Sequence, residues 1–161
     1  MKKISDKGIK LIQRFEGCAD KQGDMIYPYI CSAGKHTIGW GSTFWENGEP
    51  VSMDDLPITQ ERADHLFELT LKDYVQGVNR LLRDDNVLTQ NMFDSLVSFA
   101  YNLGLGALSE STLLRKVNIN RIDQDIRTEF LKWDKAMVGG ELKPLPGLTA
   151  RRKAEADNYF A

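Results

Sequence analysis

Cysteine and histidine are scarce in this chain, which has two of each among its 161 residues. Cys18 and Cys31 can form at most one disulfide, so the sequence excludes a disulfide framework, and we expect both thiols to be free. The chain also lacks a Cys-x-x-Cys motif, and two histidines offer few ligands for a zinc site. We therefore predict no metal ion and no cofactor.

An excess of positive charge and long apolar runs are also missing. The 21 Lys and Arg residues are outnumbered by 23 Asp and Glu residues, which gives a formal net charge of −2. Nucleic-acid binding depends on positive charge that neutralises phosphates, so we expect no nucleic acid among the partners. No run of about 18 apolar residues occurs, and residues 1–15 contain no apolar run of signal-peptide length. We therefore predict no membrane span, no membrane anchor and no export signal.

Two kinds of pattern divide the first half of the chain. Ser5 is suited to cap a helix that extends to about Phe15, with apolar residues on one face. Residues 17–58 contain six glycines and three prolines, which favours a small lobe of short strands such as Thr37-Ile38 and Thr43–Trp45. From Thr59 the apolar residues recur at helical spacing, which predicts a helix of about six turns over 59–82.

The second half has the pattern of a helical bundle. The helix that follows Thr89 is apolar nearly all round, so we expect it to be buried and central. Further helices are predicted near 111–117, 121–133 and 149–160, separated by segments rich in glycine and proline. The sequence thus predicts an α+β fold with lobes at about 1–58 and 83–161, joined by the helix at about 59–82.

Glu16 is the first candidate for chemistry. It lies where the first predicted helix ends and the glycine-rich segment begins, directly after Phe15. A carboxyl group that has partly lost its water at such a junction is suited to donate a proton near neutral pH. The alternative is an ordinary glutamate at a helix end that faces solvent.

Three blocks of sequence resemble a known family. Phe15-Glu16-Gly17, Tyr29 and the run from Thr37 to Thr43 are similar to the N-terminal signature of the phage-type lysozymes, glycoside hydrolase family 24, which includes phage endolysins. Residues 93–108 are similar to the central helix of that family, and residues 111–114 and 147–155 continue the match. The resemblance implies a lysozyme-like, two-lobe fold with residues 1–161 as a single catalytic domain. It also implies hydrolysis of the β-1,4 bond between N-acetylmuramic acid and N-acetylglucosamine in bacterial peptidoglycan.

The family's catalytic pattern is a Glu at the end of the first helix, then an Asp, then a Thr six positions after that Asp. The resemblance therefore assigns Glu16 as the general acid and Thr37 as a hydroxyl that helps to hold the attacking water. The position six before Thr37 is Cys31, which departs from the usual aspartate. The segment between Glu16 and Cys31 is also longer than usual, and we expect its extra residues in a surface loop at 19–25.

Several roles for Cys31 are open. Its thiolate could replace the aspartate, although a thiol of ordinary acidity is only a few per cent ionised at neutral pH. Asp20 or Asp24 could supply the missing carboxylate instead. Glu16 could also act alone, as in lytic transglycosylases, which close the sugar on itself, and Cys31 would then be a small structural residue. A cysteine hydrolase using His36 is disfavoured because no residue that would orient the histidine is indicated.

The remaining expectations concern substrate binding, the helical core and the cellular location of the protein. Asn102 is expected to bond a sugar hydroxyl or N-acetyl group, with a helix cap as the alternative. Arg151 and Arg152 are expected to meet the anionic peptide stems of peptidoglycan, with solvated helix residues as the alternative. Trp133 is expected in the helical core. The resemblance implies a monomeric endolysin in the host bacterial cytoplasm that reaches the glycan strand after a separate holin-type protein permeabilises the membrane. An inactive wall-binding module is a further alternative.

Overall fold

The computed structural model describes residues 1–31 and 34–161, and its contacts divide the chain into two compact units. We call Met1–Phe15 with Tyr74–Ala161 the helical unit, and Glu16–Asp73 the small unit. The sequence predicts residues 1–15 in the small lobe, whereas the contacts assign them to the helical unit. The reason lies in part at Asp94, a buried residue whose Oδ1 accepts a hydrogen bond from the Ser5 backbone N–H at 3.1 Å.

The chain contains seven helices and seven short strands within the described residues. The helices are α1 (Asp6–Glu16), α2 (Gln60–Leu81), α3 (Gln90–Leu103), α4 (Leu105–Glu110), α5 (Thr112–Ile119), α6 (Asp125–Leu131) and α7 (Pro146–Tyr159). The strands are β1 (Lys21–Gln22), β2 (Met25–Ile26), β3 (Tyr29–Ile30), β4 (His36–Thr37), β5 (Ile58–Thr59), β6 (Lys135–Val138) and β7 (Glu141–Pro144). This content confirms the predicted α+β fold class. No helix among the described residues is both long and apolar enough to span a membrane.

Hydroxyl side chains cap the first turn of four helices in the part of the chain that the structure describes, and the caps at Ser5, Thr59 and Thr89 agree with the helix starts that the sequence predicts. The backbone N–H of Gly8 donates to Ser5 Oγ at 3.2 Å, and that of Arg62 donates to Thr59 Oγ1 at 3.2 Å. Thr89 caps α3 by accepting from Met92 at 3.2 Å. Each cap satisfies one of the donors that the first turn of a helix leaves without a partner.

The small unit is built from two-residue strands around a small apolar core. Strands β1, β2 and β5 form one antiparallel sheet, and β3 pairs with β4. Ile38 continues from β4 as an isolated bridge to Ser42, and Phe44 bridges to Pro50, so the strand predicted at 43–45 is reduced to a single bridge. The core contains six buried residues: Ile26, Ile38, Val51, Ile58, Ala63 and Leu66.

The helical unit is organised by α3. Ten consecutive residues of this helix, Met92–Tyr101, are buried, which confirms the prediction of a buried central helix. The Trp133 ring meets the Phe99 ring edge to face with centroids 5.5 Å apart, so Trp133 lies in the helical core as predicted.

Residues 135–144 form an antiparallel hairpin where the sequence predicts only a linker between helices. Its turn is Gly139-Gly140, with φ of +59° and +82°, the conformation that a tight two-residue hairpin turn requires. The helix predicted over 121–133 is shorter because Asp123 Oδ1 accepts from the backbone N–H of Asp125 at 2.9 Å and closes a turn before α6 begins.

Candidate functional site

The three predicted catalytic residues all belong to the small unit. Glu16 is the last residue of α1 and is half-buried. Cys31 directly follows β3, is also half-buried and is not in a disulfide. Thr37 lies in β4 with only 2% of its surface exposed. The chain therefore places an acid, a thiol and a hydroxyl in one compact unit.

A single carbonyl oxygen joins Cys31 to Thr37. Lys35 O accepts a hydrogen bond from the Cys31 backbone N–H at 3.0 Å and another from Thr37 Oγ1 at 2.9 Å. The register of β3 and β4 places Tyr29 opposite Thr37. Because the Thr37 hydroxyl proton is used by Lys35, the Thr37 oxygen can act on a water molecule only as an acceptor.

Tyr29 is a half-buried phenol whose pKa depends on the acidic groups of the small unit. Burial, and after it the negative charges of Glu16, Cys31 and Cys18 in that order, raise the pKa of the Tyr29 phenol to about 12. The Tyr29 hydroxyl donates to Gly39 O at 3.4 Å. The sequence assigns Tyr29 no role, but its position two residues before Cys31 is a usable signal, since alternate residues of a strand point to the same face.

Cys18 is held differently from Cys31. Burial raises the pKa of the Cys18 thiol, with Asp64 raising it further, while a hydrogen bond from Gln60 and the charge of Lys21 lower it. Gln60 Nε2 lies 3.7 Å from Cys18 Sγ, and the thiol packs against the small unit's core. Neither cysteine is in a disulfide, as predicted. The raised pKa keeps Cys18 protonated, which suits a structural residue.

The alternative carboxylates and the histidines are all exposed. Asp20 and Asp24 lie on the surface around β1 and β2, and Asp20 adopts a left-handed backbone conformation with φ of +56°. His36 and His65 are exposed as well. Within residues 1–31 and 34–161, no group of three or more His, Cys, Asp or Glu residues could hold a metal ion.

Asn102 and the two arginines belong to the helical unit, and their environments differ. Asn102 lies in the last turn of α3, and its Oδ1 is buried without a hydrogen-bond partner among the described residues. A buried acceptor without a partner is costly, so this oxygen is suited to receive a donor from a ligand.

Arg151 and Arg152 are core residues of the helical unit. Arg151 is 3% exposed and Arg152 is 0% exposed. Arg152 Nε lies 2.7 Å from Glu155 Oε1, and Arg151 Nε lies 3.3 Å from Glu155 Oε2. The expectation that they meet peptide stems is therefore corrected, because burial beside Glu155 removes both charges from the surface. The basic run at 151–153 does not itself reveal that Glu155, one helical turn later, neutralises part of its charge.

A family model described as "Phage lysozyme" matches residues 13–155. The chain belongs to the phage lysozyme family. It is 40% identical over 154 residues to an endolysin of Acyrthosiphon pisum secondary endosymbiont phage 1, covering 94% of each chain. It is 41% identical over 152 residues to an endolysin of Bacillus phage B103, covering 94% of this chain and 52% of that one. The chain thus spans about half the length of the second relative.

The fold agrees with this assignment. The endolysin from Escherichia coli O157:H7 phage FAHEc1 superposes with a TM-score of 0.83 at 34% identity, covering 98% of this chain and 93% of that one. The two-unit α+β architecture is therefore lysozyme-like, as the sequence resemblance implies. This phage lysozyme is an enzyme, a lytic hydrolase of the bacterial cell wall.

Proposed function

We propose that this phage lysozyme hydrolyses the β-1,4 bond between N-acetylmuramic acid and N-acetylglucosamine in peptidoglycan. The observation that supports this most directly is the cluster in the small unit. There Glu16 and Cys31 both act on the Tyr29 phenol, and Cys31 and Thr37 share the Lys35 carbonyl. This supplies an acid, a site for negative charge and an acceptor for water, the three functions that glycoside hydrolysis needs.

In the proposed reaction Glu16 gives its proton to the glycosidic oxygen as the bond from that oxygen to the anomeric carbon breaks. The sugar ring develops positive charge, which the Cys31 thiolate stabilises. Water then adds its oxygen to the anomeric carbon, and its released proton passes to the thiolate. Thr37 Oγ1 accepts a hydrogen bond from that water, since its own proton is bonded to Lys35 O.

Asn102 is proposed to contribute to substrate binding. Its buried Oδ1 has no partner among the described residues, and an N-acetyl group carries an N–H donor that would satisfy it. Arg151 and Arg152 are left out of the proposed site because both guanidinium groups are buried.

We further propose that the enzyme is a monomer made in the host bacterial cytoplasm and acts on the wall after a separate holin-type protein permeabilises the membrane. The support is the identity to endolysins over most of the chain. Purified protein added to intact host cells should therefore leave them unlysed, while cells with permeabilised inner membranes lyse when they produce it.

Glu16→Gln tests the proposed chemistry. We expect the rate of cell-wall clearing to fall by about 10²- to 10⁴-fold, because the variant cannot donate the proton. Glu49→Gln, on an exposed glutamate of the same unit, is the matched control and should keep full activity. If Glu16→Gln clears cell walls as fast as an active wild type, the role of Glu16 is overturned. If the wild type and Glu16→Gln both clear them at a negligible rate, the protein is a wall-binding module. Mass spectrometry of the products should show reducing ends, whereas 1,6-anhydromuramic ends would identify a transglycosylase.

Cys31 is tested as Ala, Ser and Asp variants in the same assay. If negative charge at this position is what matters, Cys31→Asp keeps activity while Cys31→Ala and Cys31→Ser lose it. Cys18→Ala is the control, since it removes the other thiol of the unit. A Cys31→Ala enzyme that equals the wild type would contradict the thiolate role and leave Glu16 as the only charged group required.

A further inference from the structure

Gly77 is a buried glycine in the part of α2 that belongs to the helical unit, and the Leu105 side chain packs on it. A Cβ atom at Gly77 would overlap Leu105 Cδ1 and would lie 2.7 Å from Cδ2 and 3.0 Å from Cγ of the same side chain. Glycine in the interior of a helix weakens that helix relative to alanine. The close approach of Leu105 is therefore the feature of this site that requires a glycine.

Leu105 is the first residue of α4, and Gly104 alone separates α4 from the end of α3 at Leu103. Gly104 donates its backbone N–H to Ala100 O at 2.7 Å, and Gly104 O accepts from the backbone N–H of Leu108 at 3.3 Å. One residue is thus bonded into both helices. Because packed elements transmit displacements, a shift of Leu105 is passed to the last turn of α3.

Asn102 lies in that last turn, three residues before Leu105. Its Oδ1 is buried and has no hydrogen-bond partner in the part of the chain that the structure describes. The ring of the preceding residue, Tyr101, has its centroid 5.2 Å from that of Tyr74 on α2. Contacts with α2 therefore flank Asn102 in the chain, one before it and one after it. An acceptor that must meet a donor on a ligand needs such a fixed position.

We propose that Gly77 is a positioning residue for substrate binding: it lets Leu105 close on α2, and this contact holds Asn102 Oδ1 in place to accept the N–H of a sugar N-acetyl group. The proposal rests on the proposed function, since it requires Asn102 to bind the glycan strand. Gly77 itself makes no bond to the substrate. A defect at Gly77 therefore weakens the binding of the substrate and of the transition state equally, which raises KM and leaves kcat unchanged.

Gly77→Ala is the first test, with soluble glycan strands as substrate. The added Cβ atom meets only the far end of the Leu105 side chain, and alanine favours the helix, so we expect the variant to fold with Leu105 displaced. KM should rise about three- to tenfold, as expected for one weakened hydrogen bond, with kcat unchanged within about twofold.

Gly106→Ala is the matched control. It makes the same change within a helix, α4, where a Cβ atom would have no neighbour within 4 Å, so it should keep the wild-type KM. Circular dichroism of both variants gives the folded fraction. If Gly77 serves packing alone, Gly77→Ala loses thermal stability while its folded fraction keeps the wild-type KM. That result would overturn the inference, and so would a fall in kcat at unchanged KM.

Leu105→Ala tests the same contact by removing atoms instead of adding one. It takes away the part of the side chain that packs on Gly77, so KM should rise as it does in Gly77→Ala. This variant decides the question if Gly77→Ala fails to fold. A folded Leu105→Ala protein with the wild-type KM would contradict the inference.

A double variant shows whether Gly77 acts through Asn102. Asn102→Ala removes the accepting oxygen, so it should raise KM at least as much as Gly77→Ala does. Adding Gly77→Ala to Asn102→Ala should then raise KM no further, because both changes remove the same interaction. A second rise of equal size would mean that Gly77 acts by another route, and the inference would fail.

The outcomes also separate this inference from the proposed function. An active wild type, an inactive Glu16→Gln and a Gly77→Ala enzyme with the wild-type KM together reject only the role of Gly77. An unchanged KM in Asn102→Ala rejects the binding role of Asn102 and the role of Gly77 with it. A fully active Glu16→Gln rejects the proposed chemistry itself.

Discussion

The helical unit and the small unit use charged residues in opposite ways. In the helical unit, Arg151 and Arg152 are buried, and each pairs with the buried carboxylate of Glu155. In the small unit, Glu16 at the end of α1 and Cys31 after β3, which we propose for catalysis, are only half-buried. Under the proposed function, a glutamate therefore serves packing in one unit and chemistry in the other, and the degree of burial rather than the residue type separates the two uses.

The two units also differ in the length of their secondary-structure elements. Helix α3 presents ten consecutive buried residues, whereas the strands of the small unit have two residues each. In the small unit, residues proposed for catalysis are linked by individual hydrogen bonds, such as those that the Lys35 carbonyl accepts from Cys31 and Thr37. This leads us to expect that stability changes are largest in the helical core and that activity changes are largest in the small unit.

Glu155→Ala should produce the largest loss of stability. The variant leaves two arginine charges in the core without their carboxylate, and breaking a buried ion pair in this way typically costs about 3–5 kcal/mol. Ser98 Oγ, which donates to Glu155 Oε2 at 2.5 Å, loses its acceptor as well. Urea denaturation followed by circular dichroism would measure the change in the free energy of unfolding.

The control for this change is Glu141→Ala on the exposed hairpin. Glu141 pairs with Lys143 at 3.5 Å, with both side chains more than half exposed. Exposed pairs contribute little, so we expect a change within about 0.5 kcal/mol. Equal effects at Glu155 and Glu141 would show that the buried cluster does not hold the helical core.

Gly39→Ala should have the next largest effect, now within the small unit. Gly39 has a φ of +62°, and a Cβ atom there would lie 3.0 Å from the Cβ of Ala63 in the apolar core. Both the backbone strain and the close contact oppose the variant, so we expect a loss of about 2–3 kcal/mol in thermal or urea unfolding. Gly48 also has a positive φ, +84°, but a Cβ atom there would have no other atom within 4 Å. Gly48→Ala should therefore lose about 1 kcal/mol less stability than Gly39→Ala. A Gly48→Ala variant as unstable as Gly39→Ala would mean that strain alone sets the cost.

The sequence could predict the features that depend on neighbouring residues. The caps at Ser5, Thr59 and Thr89 and the burial of α3 follow from local hydrogen bonding and apolar spacing. The hairpin of β6 and β7 was harder to predict because its strands are largely exposed and lack a clear apolar alternation.

At the candidate site, too, some features could be predicted from the sequence and others depend on the folded structure. Glu16 and Thr37 follow from the resemblance, and both lie in the small unit. The burial of Arg151 and Arg152 depends on packing against α3, which a single basic run does not reveal. The position of Tyr29 opposite Thr37 depends on the register of β3 and β4, which becomes visible only once the chain is folded.

The smallest expected effect compares one tyrosine from each unit at alkaline pH. Burial raises the pKa of Tyr29 to about 12 and raises that of Tyr159 as well, against an ordinary value near 10. A phenol whose pKa is higher in the folded state contributes stability that is complete below about pH 10 and is lost as the pH rises through the folded value. The free energy of unfolding should therefore decline between about pH 10 and pH 12, and Tyr29→Phe should make that decline shallower. Tyr159→Phe should flatten it more, because Tyr159 is fully buried and donates to Arg121 O at 2.9 Å. If the free energy of unfolding of Tyr29→Phe depends less on pH than that of Tyr159→Phe, the small unit shields Tyr29 from water better than the helical core shields Tyr159. The contrast in burial between the two units would then fail at Tyr29.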